Sequence, residues 1–168
     1  MKRFAFLIAV FACSPEPPPK PPVVTTPADE ILFDVPAGWV KEQPASNMRK
    51  AQYRVPDKQK KAGDAQLVVF YFGPSPQPLD ENLGRWAAQM GSVGVEPESI
   101  QGKLKVTMAD LKGTYTGDLG GQPVAGARML AAIVEHADGD WIFKLIGPAE
   151  TVGGWREEFI ALLKSARK

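Results

Sequence analysis

Apolar residues recur along the first half of the chain in patterns that predict β-strands. Residues 50–55 alternate between polar and apolar side chains, which is typical of a strand that is buried on one face. Residues 66–72, QLVVFYF, form a nearly continuous apolar run and predict a central strand that ends at Gly73. The stretch ILFDV, at residues 31–35, is also β-prone, whereas the charged residues 57–64 indicate a loop.

The second half of the chain predicts four more strands. Residues 103–108 alternate between polar and apolar side chains, and residues 111–117 are expected to pair with them in a hairpin. Residues 128–135 and 141–147 are mostly apolar and predict a second pair of strands. The turn inside this second pair contains Asp-Gly, a strong hairpin signal. A glycine-rich loop at residues 117–126 connects the two pairs.

Apolar residues spaced three and four positions apart predict two amphipathic helices. The first spans residues 79–90, and the second begins near Thr151, a residue type that favours helix N-caps. Consecutive strands are too close in sequence for parallel crossovers, so the predicted fold class is α+β, a mostly antiparallel sheet with helices packed on it. The apolar stripe of the second helix consists of Val152, Trp155, Phe159, Leu162 and Leu163.

The N-terminus has a different pattern, which is typical of an export signal. Lys2 and Arg3 precede the apolar run FAFLIAVFA, which ends directly before Cys13. Nine helical residues rise only about 14 Å, whereas the hydrocarbon core of a bilayer is about 30 Å thick. The run is therefore too short to span a membrane, and we expect residues 1–12 to be a cleaved signal peptide.

The sequence Val-Phe-Ala-Cys at residues 10–13 resembles the lipobox of bacterial lipoproteins, with Phe11 in place of the usual small residue. The resemblance implies cleavage before Cys13 and a diacylglycerol thioether on its sulfur, with several acyl chains holding the protein on a membrane. Ser14 rather than an aspartate follows the cysteine. In a diderm bacterium this resembles the pattern of proteins sent to the outer membrane rather than kept at the inner membrane.

Residues 13–30 are predicted to be the lipidated cysteine and a Pro-rich spacer. Seven of the residues 14–30 are proline, and neither a helix nor a sheet ladder tolerates that density. Polyproline II is the expected conformation, a semi-rigid form that extends about 3.1 Å per residue. The composition changes near Ile31, and residues 31–168 are predicted to form a single globular domain that is monomeric.

Four features are spread over residues 31–166: a Pro-x-Gly-Trp turn at residues 36–39, the helix after the first strands, the strand at residues 141–145, and the closing helix ending in Leu162-Leu163-Lys164-Ser165. Together they resemble the PsbP-like fold, whose bacterial members include small periplasmic or lipid-anchored proteins of the DcrB type. The resemblance implies an antiparallel sheet sandwiched by helices, with an accessory or assembly role rather than a defined activity.

Composition and charge exclude several function classes. The chain has 20 basic and 19 acidic residues, and without Lys2 and Arg3 it has 18 and 19, a net charge of −1. Non-specific nucleic-acid binding needs a concentrated basic face, so no nucleic-acid partner is expected. One cysteine and one histidine are too few for zinc, haem or iron–sulfur sites, and no cofactor or metal is expected.

No arrangement of residues in the sequence indicates catalysis, and we predict that the protein is not an enzyme. His136 lies in a predicted turn with no nucleophile or orienting partner flanking it. Glu157 and Glu158 fall on the exposed side of the last helix, and this pair, like Glu96 and Glu98, is expected to be solvated. The glycine-rich loop precedes a strand rather than a helix, so it does not fit a phosphate-binding loop.

Tryptophans and two unusual charges are the remaining candidates for a binding site. Trp86 and Trp155 fall on the apolar stripes of the two helices and are expected to belong to the core. Arg128 and Lys144 interrupt apolar strands, and we expect them to point to the wet face of the sheet or to lie at its edge. Each of these two charges is a speculative ligand-binding residue.

Two functions remain open at this point. The first is a lipid-anchored envelope protein whose domain is a non-catalytic protein-binding or assembly module, with the membrane and an unidentified envelope protein as partners. The second is a small-molecule binder or weak hydrolase that uses a cleft in the sheet. Convergence of Arg128, Lys144 or His136 in one concave site would favour the second function.

Overall fold

The computed structural model describes residues 31–117 and 122–167. Cys13, the signal peptide and the Pro-rich spacer lie outside these residues, so the statements about them stay predictions. The described chain forms, in order, β1 (Val40–Glu42), β2 (Arg49–Val55), β3 (Ala65–Tyr71), α1 (Leu79–Gln89), β4 (Glu98–Gln101), β5 (Lys105–Tyr115), β6 (Val124–Val134), β7 (Trp141–Pro148), α2 (Ala149–Gly154) and α3 (Arg156–Ser165).

The seven strands of the described chain form one antiparallel sheet in the order β1-β2-β3-β7-β6-β5-β4. The last strand, β7, lies between β3 and β6, so it connects the three strands before α1 to the other three strands that follow α1. Strand β3 has a partner on both sides, as the continuous apolar run predicts. The predicted α+β class with an antiparallel sheet is therefore confirmed.

The strands that follow α1 differ from the predicted set. The sequence predicts a hairpin between residues 103–108 and 111–117, but β5 runs without a turn through most of both segments. One neighbour of β5 is β4, a short strand that the apolar pattern does not predict. Its other neighbour, β6, begins at Val124, inside the predicted glycine-rich loop.

The predicted closing helix is interrupted. Trp155 separates α2 from α3, with φ −114° and ψ 8°, outside the helical region. Thr151 is not an N-cap, because it lies inside α2 and its hydroxyl donates to the Gly63 carbonyl oxygen at 2.7 Å. The N-cap of α2 is Pro148, which is also the last residue of β7, so the strand passes directly into the helix.

Helices α2 and α3 cover one side of the sheet, which we call the α3 face. Phe159 and Leu162 are buried there in one cluster with strand residues such as Phe143. The apolar stripe predicted for the closing helix is thus confirmed as a core contact. Residues 31–35 form no strand, but a single antiparallel bridge pairs Leu32 with Arg167 beside this core.

Helix α1 covers the opposite side of the sheet, which we call the α1 face. Trp86 and Met90 are buried there with residues of β5, β6 and β7. Helix α1 approaches β5 so closely that a Cβ atom at Gly113 would lie 2.0 Å from the Met90 carbonyl oxygen. Glycine at this point of β5 therefore serves helix packing rather than a turn.

Candidate functional site: a cleft beside helix α1

A cleft of about 480 Å³ opens on the α1 face, where α1 lies beside residues of β3 and β7. We call it the α1 cleft. Its size falls in the range of about 300–1,000 Å³ that is usual for small-ligand sites. Among the described lining residues there are two cations and no carboxylate. They are Phe70, Phe72, Arg85, Trp86, Gln89, Thr116, Gly117, Ile142 and Lys144.

Phe70 and Phe72 form an aromatic wall of the α1 cleft. The two residues are two positions apart, which places their side chains on the same face of the extended chain. Their rings stack with centroids 5.8 Å apart and an interplanar angle of 10°. Phe72 is 48% exposed, so the wall presents a flat apolar surface to an incoming group.

Lys144 lies in the floor of the α1 cleft and corrects a prediction. The sequence places this residue on the wet face or the edge of the sheet, but β7 is an interior strand and Lys144 is only 8% exposed. It lies between the buried residues Ile142 and Ile146 on the α1 face. Its Nζ donates to Oε1 of Gln89 at 2.7 Å. Burial of an ammonium costs desolvation free energy, which makes this position a functional candidate.

Residues of α1 form the other wall of the α1 cleft. Arg85 is exposed at the rim and donates from Nη2 to Oδ1 of Asn82. Trp86 is fully buried, and its indole Nε1–H has no hydrogen-bond partner among the described residues. The cleft therefore combines a cationic rim and floor with apolar sides.

Arg128, the second speculative ligand-binding residue, lies on the α3 face and so on the opposite side of the sheet from Lys144. It is on β6, an interior strand, which corrects its expected place at an edge or on the wet face, since its side chain is only 14% exposed. Its Nε and Nη2 donate to the two carboxylate oxygens of Asp110 at 2.8 and 2.5 Å. The guanidinium is thus engaged in a bidentate ion pair.

Asp110 connects this ion pair to α3. Nε of Arg156 lies 3.5 Å from the same carboxylate, and Nη2 of Arg156 donates to Glu98 at 2.5 Å. Burial alone would raise the pKa of Asp110, but the hydrogen bonds and positive charges of Arg128 and Arg156 outweigh it and lower that pKa. The network ties β4, β5 and β6 to α3.

His136 lies in the β6–β7 turn and borders a second concavity of about 550 Å³, separate from the α1 cleft. Its Nδ1 accepts the backbone N–H of Asp138 at 3.2 Å. The nearby Asp140 is buried and accepts the backbone N–H groups of Gln77 and His136 at 2.7 and 3.4 Å. These bonds hold the turn, and the structure does not bring His136 together with Arg128 or Lys144.

The two glutamate pairs fall into different environments. Glu157 is exposed, as predicted, but Glu158 is only partly exposed and accepts a hydrogen bond from Lys58 at 2.5 Å. This bond lowers the pKa of Glu158. Glu98 is bound to Arg156, as described above, whereas Glu96 is exposed, so no pair forms a joint site.

The tryptophans outside the α1 cleft are packing residues. Trp155 is buried, as its place on the helix stripe predicts, and its ring lies edge-to-face with Trp39 at 5.8 Å. Trp141 is also buried and stacks on Tyr71 with ring centroids 4.8 Å apart. Both contacts lie within the usual range for aromatic pairs in a core.

The described residues form an α+β domain with helices on both faces of an antiparallel sheet, and the α1 cleft lies on one of these faces. Within the described ranges, no group of three or more His, Cys, Asp or Glu side chains is placed to hold a metal ion. No helix of residues 31–117 or 122–167 is long and apolar enough to cross a membrane. The chain matches no protein-family model and no curated protein.

Proposed function

We propose that this protein is a non-catalytic binding module, held on the surface of a bacterial envelope membrane by lipid on Cys13, and that it contacts its partner through the α1 cleft. The observation that carries the proposal is the aromatic wall of Phe70 and Phe72 beside the buried Lys144. An aromatic side chain left exposed in a concave site is typical of a binding surface.

The anchor is tested by Cys13→Ala. We expect the variant to move from the membrane fraction to the soluble fraction of a lysate, because the acyl chains need the cysteine sulfur. Cys13→Ser keeps nearly the size of the cysteine side chain but lacks the sulfur, and it is expected to move to the soluble fraction as well. A variant that still sediments with membranes would place the anchor elsewhere. Recovery of the native protein with the inner rather than the outer membrane would overturn the outer-membrane assignment.

The partner is proposed to be another envelope protein, in keeping with the accessory roles that the resemblance to the PsbP-like fold implies. A photo-crosslinking phenylalanine analogue at position 72 preserves the aromatic ring and reports on contacts at the cleft. The matched control places the same analogue at position 157, which is exposed on α3. We expect a discrete crosslinked product in cells from position 72, lost on adding Lys144→Met, and none from position 157. Equal labelling from both positions would argue against a specific partner at the cleft.

A small-molecule binder is the second candidate function. It is favoured by the concave shape of the α1 cleft and by the convergence of Lys144, Arg85 and Gln89 on it. The same photo-crosslinking experiment separates the two candidates. A partner protein gives a product of raised mass on a gel, whereas a small ligand adds only its own mass, which is read from the intact protein by mass spectrometry.

We further propose that the fold is the PsbP-like sandwich. Support comes from the helix layers on both faces of one antiparallel sheet and from the strand-to-helix order of the chain. An experimental structure superposed on a PsbP-like domain provides the test. Agreement of strand order and helix placement over the sheet is the expected result, and a different strand order would remove the assignment.

A further inference from the structure

We propose that the side of the domain next to the spacer is a second membrane contact, which binds the anionic phospholipid headgroups of the bilayer that holds Cys13. This inference rests on the proposed lipid anchor and adds how the domain lies on the membrane. We call this side the tether surface. It consists of the exposed residues Leu32, Val35, Lys41, Lys50 and Lys58.

The segment at residues 31–37 brings the tether surface together. Near its start, a groove of about 200 Å³ is lined by Leu32, Lys41 and Lys50. Near its end, a concavity of about 590 Å³ is lined by Val35 and Lys58. Because the spacer ends at residue 30, it joins the domain at this surface.

The tether surface combines apolar and cationic side chains. Leu32 is 49% exposed and Val35 is 36% exposed, and each borders a concavity that also contains lysine. Single exposed apolar residues are common on proteins, but exposed aliphatic groups beside lysines are typical of surfaces that lie at a membrane interface. The lysines reach the phosphate groups while the aliphatic side chains contact the upper part of the acyl region.

Two of the lysines have their charge available. Lys41 and Lys50 are exposed on neighbouring strands, and neither forms an ion pair within the part of the chain that the structure describes. Lys58 contributes less, because it forms an ion pair with Glu158. Lys41 and Lys50 are therefore the main cationic contacts.

Charge is distributed unevenly between the tethered part of the domain and the rest. Residues 31–72 carry seven basic and four acidic side chains, a net charge of +3. Residues 73–117 and 122–167 carry nine basic and eleven acidic side chains, a net charge of −2. The potential of an anionic bilayer attracts the first part and repels the second, within a screening length of about 8–10 Å at physiological salt.

The anchor alone would leave the orientation of the domain open. Seventeen residues of polyproline II extend about 50 Å, so the spacer permits many placements of the domain. The tether surface selects one of them. Tyr53 and Trp141 of its groove belong to the core of the α3 face, so this contact directs the α1 cleft away from the bilayer.

The first test measures this orientation in the lipidated chain, reconstituted in vesicles of phosphatidylethanolamine and phosphatidylglycerol. Cys13 is the only cysteine and its sulfur is acylated under the proposal, so Val35→Cys supplies the sole free thiol for a bimane label. Val93→Cys, in the exposed stretch after α1, is the matched control. We expect a nitroxide on the lipid headgroups to quench the label at position 35 and not at position 93.

The quenching at position 35 should disappear at high salt and in vesicles of phosphatidylcholine alone, because the attraction is electrostatic. Equal quenching at both positions, or quenching that does not depend on anionic lipid, overturns the proposal.

The second test removes the anchor and measures the surface by itself. The mature chain, residues 13–168 with Cys13→Ala, is sedimented with phosphatidylglycerol vesicles, and we expect weak, salt-sensitive binding. Lys41→Gln combined with Lys50→Gln should weaken this binding about tenfold or more. The matched control, Lys103→Gln combined with Lys112→Gln, removes two exposed lysines at the opposite edge of the sheet and should weaken it less than about threefold. Equal losses in the two double variants, or no binding by the parent chain, contradict the proposal.

The competing occupant of the tether surface is the acidic pair that precedes Ile31. Asp29 and Glu30 lie outside the described residues, and Asp29→Asn combined with Glu30→Gln removes their charge. If vesicle binding appears only in this variant, the two acids occupy the lysines and the proposal is wrong. A native chain that mass spectrometry shows to lack acyl groups would refute the anchor, while sedimentation of the Cys13→Ala chain would still decide the surface contact.

Discussion

Phe159→Ala is expected to lower the free energy of unfolding by about 3–5 kcal/mol, the usual range for emptying a buried aromatic site. Phe159 is fully buried between α3 and the sheet, in the same cluster as Phe143 and Leu145. The cavity left by the ring cannot close fully, because strands in the middle of a sheet have little freedom to move. Denaturant melts of the wild type and the variant measure the difference.

The matched control for this change is Glu157→Ala on the same helix. The Glu157 side chain is 82% exposed and its contact with Arg156 is a surface ion pair, so we expect a change of no more than about 0.5 kcal/mol. Glu158 is a less suitable control than Glu157, because it forms an ion pair with Lys58. Equal and mild effects of Phe159→Ala and Glu157→Ala would mean that α3 does not stabilise the domain through its apolar stripe.

Asp110→Asn is expected to lower the free energy of unfolding by about 2–3 kcal/mol near neutral pH. The substitution keeps the size of the side chain but removes the negative charge that Arg128 and Arg156 share. Arg128 is 14% exposed, so its guanidinium would be left largely buried without a counter-charge. Partial exposure of Asp110, at 28%, keeps the cost below that of a fully buried pair.

The effect of Asp110→Asn is expected to depend on pH. The folded-state pKa of Asp110 lies below its usual value, so the carboxylate stabilises the fold above the unfolded-state pKa of about 3.9. This contribution is lost as the pH falls through the lower, folded-state value. The difference in unfolding free energy between wild type and variant should therefore shrink in melts carried out progressively below pH of about 4. Glu96→Gln, at an exposed acid, is the control and should change the free energy of unfolding by no more than about 0.5 kcal/mol.

Local periodicity predicts much of this fold because it reports which faces of each element are buried. The alternation of residues 50–55 and the run at residues 66–72 correspond to β2 and β3, and the Asp-Gly turn joins β6 to β7. The stripe of residues 79–90 corresponds to α1. In each case the signal and the structure span the same few residues, so no knowledge of distant contacts is required.

The errors arise where distant contacts decide the conformation. The hairpin expected between residues 103–108 and 111–117 does not form, because β5 continues through most of both segments, and Gly113 lets it pass close to the distant Met90, whose carbonyl oxygen would lie 2.0 Å from a Cβ atom there. Thr151 is a residue type that favours helix N-caps, yet its hydroxyl donates a hydrogen bond to the carbonyl oxygen of Gly63, which is 88 positions away in sequence. Neither partner is visible from the local sequence.

The candidate site was only partly predictable for the same reason. Lys144 is recognisable as an unusual charge in an apolar strand, but its acceptor, Gln89, is 55 positions away. Phe70 and Phe72 are two positions apart, so their side chains lie on the same face of the strand and can stack. This spacing is present in the sequence, but it is hard to recognise inside a continuous apolar run. Arg128 has the same local pattern as Lys144, and only its side-chain hydrogen bonds show that it contacts Asp110, a diagonal neighbour on the adjacent strand.

The bridge between Leu32 and Arg167 makes the described chain almost a closed ring. Its two backbone hydrogen bonds, 2.7 Å and 2.9 Å long, hold the first and last parts of the described chain side by side. A short linker from residue 167 back to residue 31 would close the ring without stretching either part. New ends cut in the exposed stretch around Val93, between α1 and β4, would then give a circular permutant with every strand pairing intact. In such a permutant a membrane tether could be attached at the α1–β4 loop instead of beside Leu32, which would turn a different side of the domain toward the bilayer.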